Sequence, residues 1–121
     1  MVDLKIQLPD GFLDEEVRCD YLVTHEMKKA WAEFEGEAQK LNLPSAPKKF
    51  LQYIDEDNRP QPKLDAMYEN GMGVSIGRLR EDNIFDYKFT CLSHNTLRGA
   101  AGGGVLSAEL LCAKGYLKAK N

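Results

Sequence analysis

Four prolines within residues 42–65, Pro44, Pro47, Pro60 and Pro62, constrain this chain more than any other feature of its sequence. Each fixes φ and removes a backbone N–H, so a segment punctuated this densely excludes both helix and central strand. One short strand fits between them, Phe50 to Ile54, with Phe50, Gln52 and Ile54 on one face and Leu51 and Tyr53 on the other. The rest is expected to be a long ordered loop, the kind that carries function or an interface in a compact domain.

Upstream, Leu8-Pro9-Asp10-Gly11 has turn chemistry and Tyr21-Leu22-Val23 reads as a short strand. Thr24 is the expected N-cap of a helix running to about Phe34. In it Met27, Ala30, Trp31 and Phe34 fall at i, i+3, i+4 and i+7, one apolar stripe, and Gly36 ends it. Downstream, residues 72–80 and 84–92 alternate with period two. Arg80-Glu81-Asp82-Asn83 between them predicts an antiparallel hairpin with one buried face.

From Thr96 to about Lys114 the pattern is helical, with Ala101, Val105, Ala108 and Cys112 in one stripe and Leu106, Leu110 and Ala113 beside it. A helix apolar over most of its circumference is expected to be buried. Gly102, Gly103 and Gly104 weaken it by roughly 1 kcal/mol each relative to Ala, so another backbone or a ligand is expected close by. Gly115 is the expected C-terminal cap. The order helix, strand, hairpin, helix is an α+β fold.

A chain of 121 residues is one domain, and its formal charge of −3 argues against a nucleic-acid partner held by phosphate neutralisation. The charge is uneven: residues 1–60 carry 8 Lys/Arg against 13 Asp/Glu, and residues 61–121 carry 8 against 6. No apolar run approaches the ~20 residues of a membrane span, and no apolar h-region follows the start. Cys19, Cys91 and Cys112 show no metal or disulfide spacing and are expected to be reduced thiols of a cytoplasmic protein.

Gly71-Met-Gly73-Val-Ser-Ile-Gly77 leads into a strand, whereas a dinucleotide loop must follow a strand and open a helix. Gly99 to Gly104 lacks the Gly-Lys-Ser/Thr of a phosphate loop. The segment Ser93-His94-Asn95-Thr96 sits where strand gives way to helix. There Asn95 can cap the helix or, donating and accepting at once, read a carboxamide. His94 could act as a base but has no matched nucleophile. His25 reads as surface and Cys91 and Cys112 as packing thiols, while Arg98 could bind a phosphate or pair with a carboxylate, the structural pair being favoured. No catalytic residue and no metal ligand emerges, so these residues do not make a self-sufficient enzyme.

The blocks LNLPSAP (41–47), DNRPQPKLD (57–65), NGMGVSIGRLRED (70–82), DYKF (86–89) and LSHNTLRGAAGGGVLSAELL (92–111) closely resemble the C-terminal end of the aspartate-semialdehyde dehydrogenase family, in its archaeal and fungal branch. The resemblance covers roughly residues 29–121. It implies a fragment of the α/β catalytic and dimerisation domain, with an antiparallel hairpin and a buried C-terminal helix. It implies NADP as cofactor and reduction of aspartyl phosphate in lysine, threonine and methionine biosynthesis. By it, Asn95 lies near the nicotinamide, and Gly99 and Ala100 allow close backbone approach. The family's phosphate loop, nucleophilic Cys and R-V-P-V-x-x-G-H-T block do not occur here, so no catalytic residue carries over.

Residues 1–31, including KIQLPDGFLDEEVRCDYLVTHEMKKAWA, are similar instead to the start of the phosphocholine-transferase-like nucleotidyltransferases, without that family's acidic metal cluster. The expected organisation is therefore a segment of different origin over 1–28 and the dehydrogenase fragment over 29–121. The expected behaviour is homo-oligomerisation through the dimerisation domain, no turnover alone, and no nucleic-acid or membrane partner. A non-catalytic dimerisation or interaction module is the alternative from another class; dimerisation without NADP affinity would mark it.

Overall fold

The structure, a computed structural model, describes residues 2–6 and 18–120. The turn expected at Leu8–Gly11 lies outside them, as does the side chain of Cys19. The elements in chain order are β1 (Val2–Ile6), α1 (Arg18–Glu33), α2 (Glu37–Lys40), β2 (Leu51–Ile54), α3 (Pro62–Asp65), β3 (Val74–Glu81), β4 (Tyr87–Ser93) and α4 (Gly102–Ala113). The α+β class is as expected. The described strands form one sheet of order β1-β4-β3-β2. β1 and β4 are antiparallel, with Val2 opposite Cys91 and Ile6 opposite Tyr87. β3 and β4 form the expected antiparallel hairpin. β2 runs parallel to β3, which requires a long crossover, and the proline-rich connection 55–73 supplies it.

Two sequence expectations change at α1. Tyr21-Leu22-Val23 is helix, not strand, and Thr24 lies inside the helix rather than capping it. The reason is packing: Val23, only 6% exposed, extends the Met27–Trp31 stripe by one turn towards the N-terminus. Trp31 anchors the helix on the sheet, stacked on Tyr53 at 5.7 Å and edge-on to Phe89 at 4.8 Å. Such aromatic pairs contribute about 1 kcal/mol each beyond their area. Ile76, Tyr87, Phe89 and Leu92 complete the buried set on β3 and β4. Gly36, expected to end α1, is instead the N-cap of the short helix α2, whose Gln39 side chain accepts the Gly36 N–H at 3.0 Å.

The proline segment holds β2 as expected but also one turn of helix. In α3, Pro62 occupies the first turn, where its missing N–H is not needed. The 55–66 segment is held by buried Asp65, which accepts from Arg59 Nε at 3.0 Å, from Arg59 Nη2, and from the Gln61 N–H at 2.7 Å. Arg59 also pairs with Glu56 at 3.0 Å.

The hairpin is less regular than its alternation suggests. The register skips between Gly77 and Arg80, with Arg78 at φ +55°: a bulge whose Leu79 N–H is taken by the Tyr53 hydroxyl at 3.1 Å. Phe85, read as strand, lies with Ile84 in the exposed connecting loop, where Asp82 accepts both their N–H groups.

The last helix opens with a π turn over Leu97–Ala101 and continues as α4. It ends as expected, in a Schellman arrangement at Gly115 (φ +79°), with Tyr116 N–H donating to Leu111 O at 2.9 Å. Its burial is not as expected. Leu106 alone in α4 is buried, packed with Leu43 and Met72, while Val105 and Leu111 are 54% and 41% exposed. Cys112, read as a packing thiol, is exposed too. An apolar helix is buried only where something covers it, and the described residues cover one side.

Candidate functional site

Ser93 ends β4, and the chain turns through His94, Asn95 and Thr96 into the π turn. His94 Nδ1 accepts the backbone N–H groups of Thr96 at 3.2 Å and Leu97 at 3.1 Å. His94 therefore does the capping considered for Asn95. Asn95 is left exposed, its Oδ1 accepting only the Thr96 hydroxyl at 3.2 Å. Its amide is free to donate outward and its oxygen has a second lone pair to offer.

Gly99 and Ala100 follow on the same turn, both exposed. The π turn arises because Gly99 N–H bonds His94 O at 3.0 Å and Ala101 N–H bonds Thr96 O at 2.8 Å, each one residue further back than in an α-helix. Such π bulges are frequent at functional sites. They also explain the glycine run in part. A Cβ at Gly102 would sit 2.4 Å from Met72 Sδ, and one at Gly103 would sit 2.4 Å from Arg98 O. The close approach expected there is made by this chain's own atoms. Nothing stands within 4 Å of a Cβ at Gly104.

Gly99, Ala100, Gly103 and Gly104 form one wall of an open cleft of about 540 Å³, with α2 and Phe50 opposite. Arg98 lies in it, its guanidinium 4.4 Å from the Phe50 ring centre. The structural ion pair expected for Arg98 does not form among the described residues, and Nη1 is buried with no hydrogen-bond partner. Burial lowers the tendency of this guanidinium to stay charged. No local pattern signals this stack, since Phe50 and Arg98 are far apart along the chain.

Cys91 is half-buried, and desolvation pushes its thiol up to about 11, the opposite of what a nucleophile requires. Among the described residues no cluster of His, Cys, Asp or Glu could hold a metal ion, and no helix is long and apolar enough to cross a membrane. The Gly71–Gly77 stretch is the expected turn into a strand: Glu69, Asn70 and Gly71 all have positive φ, and β3 begins at Val74.

The geometry has close counterparts. The chain is 48% identical over 92 residues to the aspartate-semialdehyde dehydrogenase of Candida albicans, and 45% identical over 101 residues to that of Methanothermobacter thermautotrophicus. It is 51% identical over 86 residues to the NADP malonyl CoA reductase of Metallosphaera sedula. These matches cover 76%, 82% and 69% of this chain but only 25%, 28% and 24% of the relatives, so the chain spans about a quarter of their length. The crystal structure of the Candida albicans aspartate semialdehyde dehydrogenase with NADP superposes with a TM-score of 0.69 at 45% identity, over 77% of this chain and 26% of that one. The family model for the semialdehyde dehydrogenase dimerisation domain matches residues 15–98, beginning ahead of the 28/29 boundary. With most of its length inside that match, this chain belongs to the semialdehyde dehydrogenase dimerisation-domain family.

Proposed function

We propose that this chain is the C-terminal, dimer-forming portion of an NADP-dependent aspartate-semialdehyde dehydrogenase of the cytoplasm. In the intact enzyme, aspartyl phosphate would be reduced to aspartate semialdehyde, feeding lysine, threonine and methionine synthesis. The observation that carries the reading is Asn95: an exposed carboxamide, released from helix capping by His94, at the start of a small-residue π turn.

The residues present fit NADP at this place. The bound nicotinamide would supply the hydride. Asn95, donor and acceptor together, would hold and orient the nicotinamide carboxamide. Gly99 and Ala100, exposed and without bulk, would let the cofactor approach the backbone. Cys91 is poorly suited to the covalent step, since burial makes its thiol resist ionisation. Self-association fits a domain whose last helix keeps Val105 and Leu111 at 54% and 41% exposure, with Leu117 just beyond it at 47%.

That exposed face is equally the basis for a second reading, a non-catalytic dimerisation module. Calorimetric titration of NADPH into the 121-residue chain and into Asn95→Ala separates the two. Saturable binding weakened about tenfold or more by the substitution is the expected result; a dimer with no NADPH affinity would establish the module.

A further inference from the structure

We infer that the cleft between α2, Phe50 and the first turns of α4 is a binding site for a phosphate group, with Arg98 as its cation. The site shares Gly99 and Ala100 with the proposed cofactor contact and rests on that reading only for which phosphate compound fills it.

The polar side chains that line the cleft are nearly all engaged. Glu37, its one carboxylate, is held by Lys114 Nζ at 2.6 Å. Gln39 accepts from Gly36 N–H and donates to Pro47 O at 3.1 Å. Ser107 donates its hydroxyl to Gly103 O at 2.8 Å. Among the described residues, Arg98 Nη1 is buried without an acceptor, and a half-buried guanidinium with such an orphan is costly to keep. The stack on Phe50 holds the guanidinium plane without satisfying its N–H groups.

Two further features favour a phosphate oxyanion. With Glu37 neutralised by Lys114, the uncompensated charge in the cleft is positive. Beside Arg98 the cleft is lined by backbone and small residues, Gly99, Ala100, Gly103 and Gly104, and a guanidinium held by its stack on Phe50 suits a phosphate oxyanion better than a mobile lysine would. The cleft is open and, at about 540 Å³, roomy enough for a phosphate on a larger molecule.

The test titrates inorganic phosphate into the 121-residue chain at low ionic strength, followed by 31P line width and calorimetry. Saturable binding is expected, at least tenfold weaker in Arg98→Met and partly kept in Arg98→Lys. Gly104→Leu serves as the second variant: it leaves Arg98 in place and improves helix propensity, but sends a side chain into the open space of the cleft. It too should lose phosphate. No saturable binding by the parent chain, undiminished binding in Arg98→Met, or acetate competing as well as phosphate would each overturn the inference. If NADPH displaces phosphate, the ligand is the cofactor; if it does not, the site takes another phosphate compound and the anion site still stands. An Asn95→Ala variant that loses NADPH but keeps phosphate separates this inference from the cofactor reading.

Discussion

Glu109 of α4 holds Ser45 of the proline segment by two hydrogen bonds. The Ser45 N–H donates to Oε2 at 2.9 Å and its hydroxyl to Oε1 at 2.6 Å. This contact ties the last helix, and with it the π turn that follows Asn95, to a loop near the middle of the chain. Bonds to an ionised acceptor are worth about 1.5–3 kcal/mol, so Glu109→Ala should destabilise the chain by about 2 kcal/mol. Urea unfolding of the two proteins checks this; an unchanged midpoint would show that the tie contributes nothing.

The sheet depends on Trp31, the single tryptophan of the chain. Replacing it with Ala removes both the Tyr53 and Phe89 contacts and should cost about 3 kcal/mol, whereas Trp31→Phe should keep most of the stability. Thermal melts followed by circular dichroism rank the three proteins. Equal melting temperatures would remove α1 from the account of what holds the sheet.

Acid should loosen the proline segment. Bonding to Arg59 first, then to the Gln61 N–H, holds the Asp65 carboxyl below the usual carboxylate range. A folded-state pKa below the unfolded one gives stability that is present above about pH 4 and is lost as pH falls through the folded value. Denaturant midpoints measured from pH 6 down to pH 2 should therefore fall in the parent chain, with a shallower fall in Asp65→Asn. Parallel curves would contradict the Arg59–Asp65 contribution.

Much of the fold was legible, because it rests on local periodicity. The alternation over residues 72–80 and 84–92 gave the hairpin, and Gly115 gave the helix end. What escaped depends on contacts between distant residues. The Arg78 bulge follows from Tyr53 reaching the Leu79 N–H, and Val23 is buried as a continuation of the apolar stripe of α1. Of the site, the passage from strand to helix at Ser93–Thr96 was readable from its residues, but which residue caps the helix was not. Whether His94 or Asn95 caps the helix is decided by the path of the chain out of β4. Charge alone offers Arg98 a phosphate or a carboxylate, and its stack on Phe50 follows from a contact between distant residues.

The uncovered side of α4 predicts self-association. Val105→Lys with Leu111→Lys places two charges on the exposed apolar face without touching buried Leu106. Sedimentation velocity should show the parent chain as a dimer or larger and the double variant shifted towards monomer. A parent chain that runs as a clean monomer and melts in one sharp transition would refute this.

The central claim is that the turn after β4 is the cofactor-facing end of this chain, and amide chemical-shift mapping tests it most directly. NADPH is titrated into the 15N-labelled 121-residue chain while the Asn95 side-chain amide and the backbone amides of Gly99 and Ala100 are followed. The account predicts that these signals move first and together, and that the Gly99 and Ala100 amides stay still in Asn95→Ala. Shifts centred elsewhere on the sheet, or none at saturating NADPH, would contradict it.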